Sequence, residues 1–131
     1  MTSTATDRLR DLAHEGAARF ATLEEELAGT HEGRVELARR ALRWADETFG
    51  AGLTVASSMG DEVLVHLVGT TLTGTDVFFL DTGYHFAETL GTRDAYDAML
   101  PIRLRTIFPR LTVPEQDAEH GPRLHDRDPN L

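Results

Sequence analysis

Two residue types are missing from these 131 residues: there is no cysteine and no lysine. Without cysteine the chain itself can form no disulfide, no thiolate nucleophile and no iron–sulfur cluster. Without lysine it cannot build the Walker A phosphate loop, whose lysine reaches the terminal phosphates. Every fixed positive charge is therefore an arginine. Positive charge is also scarce: 13 arginines face 22 acidic residues, and the net charge is −9. That balance argues against a general binder of nucleic acid or anionic membrane. No apolar run approaches the roughly 18–20 residues of a membrane helix. The N-terminal "MTSTATDRLRD" lacks a hydrophobic signal core, so the expected location is cytoplasmic. No repeat or low-complexity segment is visible.

The length suits one domain with a core of its own, and the 40% apolar and 27% charged content is that of an ordinary globular protein. From Asp7 to Ala28, apolar residues at Leu9, Leu12, Ala13, Ala17, Phe20, Leu23 and Leu27 predict one helix with one apolar stripe. After "AGTHEG", a second helix is expected from about Arg34 to Phe49, with Trp44 and Phe49 in the core. Gly50-Ala51-Gly52 ends it. The texture then changes. "LTVAS" (53–57) and "DVFFL" (76–80) read as strands buried on both faces. A helix opening on Asp61 and Glu62 follows the first, and one from about Phe86 to Met99 follows the second. "PIRLRTIF" reads as a third strand at an edge, because Arg103 and Arg105 alternate with apolar residues. "TVPEQDAEH" reads as a short helix closed by Gly121, with Thr112 and Glu115 at capping-box spacing and Pro114 early enough to be tolerated. The tail "PRLHDRDPNL" reads as polar and unanchored.

Strand–turn–helix repeated in this way predicts an α/β fold with a parallel sheet. Ligands in such sheets bind beyond the carboxyl ends of the strands. Two turns fall there. In Ser57-Ser58-Met59-Gly60-Asp61, the free amides and dipole of a helix start, two hydroxyls and a glycine able to take unusual φ/ψ would make an anion site that needs no lysine. The same residues could instead only cap the helix and turn the chain. Asp81-Thr82-Gly83 matches the aspartic protease signature. A protease, however, needs a twin aspartate to share the proton, and this chain has one copy, followed by a helix. Facing a nucleotide, the turn would offer amides to a phosphate or sulfate and an acid to a sugar or metal; it could also be a plain turn with Gly83 at positive φ. Arg93 could point at an anion or pair with Glu88, Asp94 or Asp97. His66 reads as a packed or edge histidine. His120 and His125, near Asp117, Asp126 and Asp128, have no compact zinc-ligand spacing and read as part of a solvated tail.

Taken together, "ALRWADETFGAGLTVASSMGDEVLVHLV", "TDVFFLDTGYHFAETLGTRDAYDA" and "LTVPEQDAEHGPRLHDRDPNL" resemble the assimilatory adenylyl-sulfate/phosphoadenylyl-sulfate reductase family, closest to its actinobacterial adenylyl-sulfate branch. The resemblance covers about residues 40–131. It implies an adenine nucleotide α-hydrolase-like fold with a modified pyrophosphate loop. In it, 1–131 would be a single nucleotide-binding domain, with 1–49 as a helical lead-in and 50–131 as the sheet with its two binding turns. The implied substrate-binding residues are Ser57, Ser58, Met59, Gly60 and Asp61 on the first turn, Asp81, Thr82 and Gly83 on the second, and Arg93.

The chain departs from the family pattern at its end. In the family, "RDP" is followed by a Cys-Cys pair and later by a Cys-x-x-Cys, which hold a [4Fe–4S] cluster in the adenylyl-sulfate branch, and then by a catalytic cysteine. Here the sequence ends at Asp128-Pro129-Asn130-Leu131. The expectation is an N-terminal portion with an incomplete sheet and no catalytic residue or bound cluster of its own. The resemblance implies reduction of adenosine 5′-phosphosulfate, or of 3′-phosphoadenosine 5′-phosphosulfate, to sulfite and the adenine nucleotide, with thioredoxin as electron donor. This chain alone is expected to be inactive and to risk pairing with itself through an unfinished sheet. Two other readings stay open. A pyrophosphate-loop ATPase or sulfurtransferase would want Ser-Gly-Gly-x-Asp-Ser where "SSMGDE" stands. A non-catalytic nucleotide-binding remnant would need no cysteine.

Overall fold

The computed structural model describes residues 4–60 and 62–128. Two long helices open the chain, α1 (Ala5–Leu27) and α2 (His31–Phe49). Thr4 caps α1 through a reciprocal pair with Asp7, satisfying amides that a helix start leaves open. α2 begins three residues earlier than its apolar periodicity predicts. Thr30 caps it by accepting the Gly33 amide at 3.0 Å, a signal that the break "AGTHEG" conceals. The hairpin packs around Trp44, which meets Phe20 edge-on at 5.8 Å and Phe49 at 5.6 Å. This aromatic group is only half-buried and lies outside the sheet core, contrary to the expectation for Trp44 and Phe49. The one buried residue of the hairpin is Gly16, against which the indole lies.

A single 3-10 turn (Gly50–Gly52) leads into the sheet. Its three strands are parallel and lie in chain order: β1 (Val55–Ala56), β2 (Thr75–Leu80) and β3 (Ile102–Ile107). Helix α3 (Glu62–Thr71) connects β1 to β2, and α4 (Ala87–Met99) connects β2 to β3. β1 is far shorter than the five-residue run suggests. It is an edge strand with one neighbour, and the Leu53 amide before it is already bonded to the Gly50 carbonyl. Register places Val55 beside Val77 beside Leu104, and Ala56 beside Phe78 beside Arg105.

Alternation then separates two faces. Val55, Val77 and Phe79 point to the covered face, where Val65 and Val68 of α3, Leu90 and Tyr96 of α4 and Leu42 of α2 complete the core. The other face carries Ala56, Asp76, Phe78, Leu80, Arg103, Arg105 and Ile107, none of them buried. The expectation of strands buried on both faces is thus overturned: β2 is sealed on one face only. On the open face Arg103 reaches Asp76 with two nitrogens, at 2.9 and 3.3 Å. The third strand is at an edge, as its alternating arginines predict.

The C-terminal part folds over the carboxyl end of the sheet as α5 (Val113–His120) and a single turn, α6 (Leu124–Arg127). Thr112 and Glu115 form the predicted capping box, and Gly121 closes α5 at φ +83°. The tail is anchored rather than loose, because Leu124 is buried. Among the described residues no helix is long and apolar enough to cross a membrane.

Candidate functional site

The two turns singled out by the sequence lie side by side. β1 and β2 are parallel neighbours, so both turns leave the same end of the sheet. They are joined where the Ser57 amide donates to the Phe78 carbonyl at 3.1 Å.

The first turn is built around Met59. Its amide donates to Ser57 Oγ at 3.1 Å, and its backbone takes the left-handed conformation at φ +56°. The Met59 side chain is 3% exposed and belongs to the sheet core. So the left-handed residue is Met59 and not Gly60, where a glycine was expected to supply unusual angles. Of the two serines, Ser57 spends its hydroxyl on the turn and Ser58 is exposed. Met59 offers a ligand no side chain. Gly60 is exposed, and the nearest atom a Cβ there would meet is Ser58 Oγ at 3.6 Å, an ordinary contact. Among the described residues nothing demands a glycine at this position. Asp61 lies outside the described residues.

The second turn is more occupied than its sequence suggests. The Asp81 amide donates to the Ile107 carbonyl at 2.9 Å, extending the β2–β3 pairing by one residue. The Gly83 amide donates to Asp81 Oδ1 at 3.0 Å, and the Tyr84 amide to Thr82 Oγ1 at 3.4 Å. Two of the three amides expected to meet a phosphate are therefore taken by the chain itself. Gly83 has φ +82°, the value of the plain-turn alternative, and a Cβ there would lie 2.9 Å from Val113 Cγ2. Behind the turn, Arg93 places Nη1 3.6 Å from Asp81 Oδ2 and Nη2 2.9 Å from Asp94 Oδ1. Its guanidinium also lies over the Phe79 ring, 5.6 Å from the centroid. Arg93 thus takes both the helix neighbour and the turn.

Three clefts open at this rim. One of about 260 Å³ is lined by Ala56, Ser57, Ser58, Phe78, Leu80 and His85. A larger one of about 490 Å³ includes Leu80, Asp81, Tyr84, Phe108, Gln116 and His125. Leu80 belongs to both. A third, of about 200 Å³, runs from Asp81 and Gly83 to Thr112 and Val113. His85 Nε2 donates to the Leu80 carbonyl at 2.8 Å while its ring stacks on Phe79 at 4.7 Å. Tyr84 meets His125 edge-on at 5.2 Å, which docks α6 over the second turn.

His85, Tyr84, Gln116 and His125 were not among the residues expected at the site. His125 was assigned to a solvated tail, and only the burial of Leu124 beside it brings it in. His66 is exposed on α3 and lines a different cleft, with Val35 and Arg39 of α2, rather than any of the three at the rim. Near the third cleft, the backbone amide and hydroxyl of Thr112 hold the Glu115 carboxyl below its ordinary range.

Among the described residues, no group of three or more His, Cys, Asp or Glu side chains is placed to hold a metal ion. An iron–sulfur cluster held by thiolates finds no ligand in this sequence, because it contains no cysteine.

Comparison with known proteins adds an independent finding. Residues 52–130 match the family model of the phosphoadenosine phosphosulfate reductase domain, a domain of the adenine nucleotide α-hydrolase type. A curated adenosine 5′-phosphosulfate reductase of Streptomyces coelicolor is 61% identical over 90 residues, covering 69% of this chain and 38% of the relative. Proteins of the same name from Mycolicibacterium smegmatis and Rhodococcus opacus are each 43% identical. They cover 98% of this chain and 49% and 51% of their own lengths. The chain therefore spans about half the length, or less, of the curated relatives it matches.

Proposed function

Because the chain belongs to the phosphoadenosine phosphosulfate reductase domain family, we propose that it supplies the nucleotide-holding part of an adenosine 5′-phosphosulfate reductase. In this reading residues 1–131 are one nucleotide-binding unit, with 1–49 as its helical lead-in. The reading rests on one observation: the two turns share a rim and are joined by the bond from the Ser57 amide to the Phe78 carbonyl, 3.1 Å long.

The occupancy of the turns divides the labour. The phosphosulfate anion goes to the first turn and the start of α3, where Ser58 and Gly60 are exposed and a helix N-terminus carries partial positive charge. The second turn, with its amides at Asp81 and Gly83 taken, presents acceptors and the Thr82 hydroxyl. That suits the ribose better than a second anion. Arg93 is a positioning residue, holding Asp81 from behind rather than touching the ligand.

In the reaction proposed for the whole enzyme, a thiolate attacks the sulfur, the S–O bond to AMP breaks and AMP leaves. The dithiol of thioredoxin then reduces the resulting S–S bond, releases sulfite and is itself oxidised to a disulfide. The thiolate is not among these 131 residues. The chain's own part is to bind and orient the nucleotide, in the cytoplasm, where reduced thioredoxin is available. The 3′-phosphorylated substrate is the alternative, and the names of the relatives favour the form without it.

The test is a titration of the isotope-labelled chain with AMP and with Mg-ATP. The expected result is weak binding that shifts the amides of Ser58 and Gly60, with AMP preferred and no sulfite released from adenosine 5′-phosphosulfate. Unmoved amides at millimolar AMP, a preference for Mg-ATP, or sulfite produced by this chain with reduced thioredoxin would each overturn the proposal.

A further inference from the structure

The β1–β2 ladder ends on a side-chain donor. In a parallel ladder the acceptors of one strand face a given neighbour at every second residue. The Phe78 carbonyl faces β1 and takes the Ser57 amide at 3.1 Å. Two residues on, the Leu80 carbonyl faces the same side, where a continued ladder would bring it the Met59 amide. That amide donates to Ser57 Oγ instead, because the chain has already turned. An imidazole takes its place: His85 Nε2 donates to the Leu80 carbonyl at 2.8 Å. A carbonyl can only accept, so Nε2 carries the hydrogen. The ring is half-buried against Phe79, 4.7 Å between centroids.

The peptide that joins Leu80 to Asp81 is thereby clamped from both sides. His85 holds its carbonyl, and its N–H donates to Ile107 at 2.9 Å. This peptide carries the Asp81 carboxylate, which accepts from the Gly83 amide at 3.0 Å and lies 3.6 Å from Arg93. Leu80 borders the clefts of both turns, Asp81 the larger of them and His85 the smaller. We propose that His85 is a positioning residue: by fixing the tilt of the Leu80–Asp81 peptide, its Nε2–H sets the angle at which Asp81 meets the ribose hydroxyls. Stacking on Phe79 alone would make the ring a packing group. The bond to the carbonyl makes it directional, as the support of a binding group must be. The proposal rests on the assignment of the second turn to the ribose and names the group that aims its carboxylate.

The experiment measures binding of AMP and of 2′,3′-dideoxy-AMP, which lacks the ribose hydroxyls, to the isotope-labelled chain and two variants, with a thermal melt of each. His85→Gln keeps an N–H donor and loses the ring. His85→Phe keeps a ring against Phe79 and loses the donor. The unaltered chain should prefer AMP by about threefold or more, the scale of a lost hydrogen bond to a hydroxyl. His85→Gln should retain that preference and His85→Phe abolish it, whichever of the two melts lower. His85→Leu serves as a second donor-free variant if phenylalanine lowers the folded fraction. A preference that survives in His85→Phe, that is lost equally in both variants, or that follows melting temperature would overturn the proposal and leave the nucleotide reading standing. Equal binding of the two nucleotides by the unaltered chain would overturn the ribose assignment and the proposal with it. Binding of neither would overturn the nucleotide reading as well.

Discussion

Arg93 and Asp81 lie 3.6 Å apart across the start of α4, each with less than a fifth of its side chain exposed. The arginine is also stacked on Phe79, so it ties the second turn to the core of the sheet. Arg93→Ala is expected to cost about 2 kcal/mol, in the range for charged hydrogen-bonding groups in partly buried settings. Asp81→Asn should cost less, because an amide oxygen still accepts from Gly83. A double-mutant cycle by urea denaturation should return a coupling of about 1 kcal/mol. Additive single effects would show that the two groups do not support each other.

Two glycines separate structure from binding. At Gly83 the backbone is left-handed and an added Cβ would meet Val113 at 2.9 Å, so Gly83→Ala should cost more than about 1 kcal/mol. At Gly60 the nearest contact is 3.6 Å, so Gly60→Ala should leave the melting temperature within about 1–2 °C, which is the scale of a surface change. If an anion approaches that backbone, the same substitution should still weaken AMP binding severalfold. Unchanged affinity would move the anion site elsewhere.

Gly16→Ala tests the helical hairpin. Its Cβ would fall 2.4 Å from Trp44 Cζ2, which the indole can relieve only by shifting away from α1. A loss of about 1–3 kcal/mol is expected, as for other overpacked contacts. Trp44 is the single tryptophan, so its emission should shift to the red. The Ser58 and Gly60 amides should not move.

The acid limb of stability should draw on the carboxylates held below their ordinary range, Asp7 by Thr4 and Glu36 by Arg40 on the helical hairpin, and Asp76 and Glu115 at the sheet and α5. A hydrogen bond from Arg103, with the charges of Arg103 and Arg105 adding to it, lowers the pKa of Asp76. Bonds from the Thr112 amide and hydroxyl lower that of Glu115. A carboxyl depressed in the folded state adds stability above its unfolded pKa and loses it as pH falls through the folded value. Melting temperature should therefore fall below about pH 4, where ordinary carboxyls begin to protonate. The Asp76→Asn/Glu115→Gln double variant should be less stable at neutral pH and show a shallower fall. An unchanged slope would assign the acid limb to other groups.

Removal of the Thr112 cap should cost about 1 kcal/mol on Thr112→Ala, with little change on Thr112→Ser. Both are read by thermal melts.

What was legible in the sequence was local. The capping box at Thr112 and Glu115, the edge character given by Arg103 and Arg105, and the order of strands and helices all follow from spacing within a few residues. What was not legible depends on contacts that form only on folding. The short β1 reflects the Leu53 amide being spent on the Gly50 carbonyl just before the strand, a turn bond that the apolar run does not announce. Arg93 has acids on its own helix, so only the folded turn shows that it also holds Asp81. His125 lines the rim cleft beside Asp81 and Tyr84, where burial of Leu124 next to it brings it. The two turns could be located at the rim, but the amides of the second were spent on Ile107 and on Asp81 itself, which no motif encodes.

The placement of Met59 has a last consequence. The residue that bends the first turn is the same one whose side chain fills the core. If the first turn receives the nucleotide as proposed, recognition and cohesion share one peg, and heating cannot loosen that pocket without also loosening the hydrophobic interior. Loss of ligand and loss of fold should coincide as a single event on a melting curve.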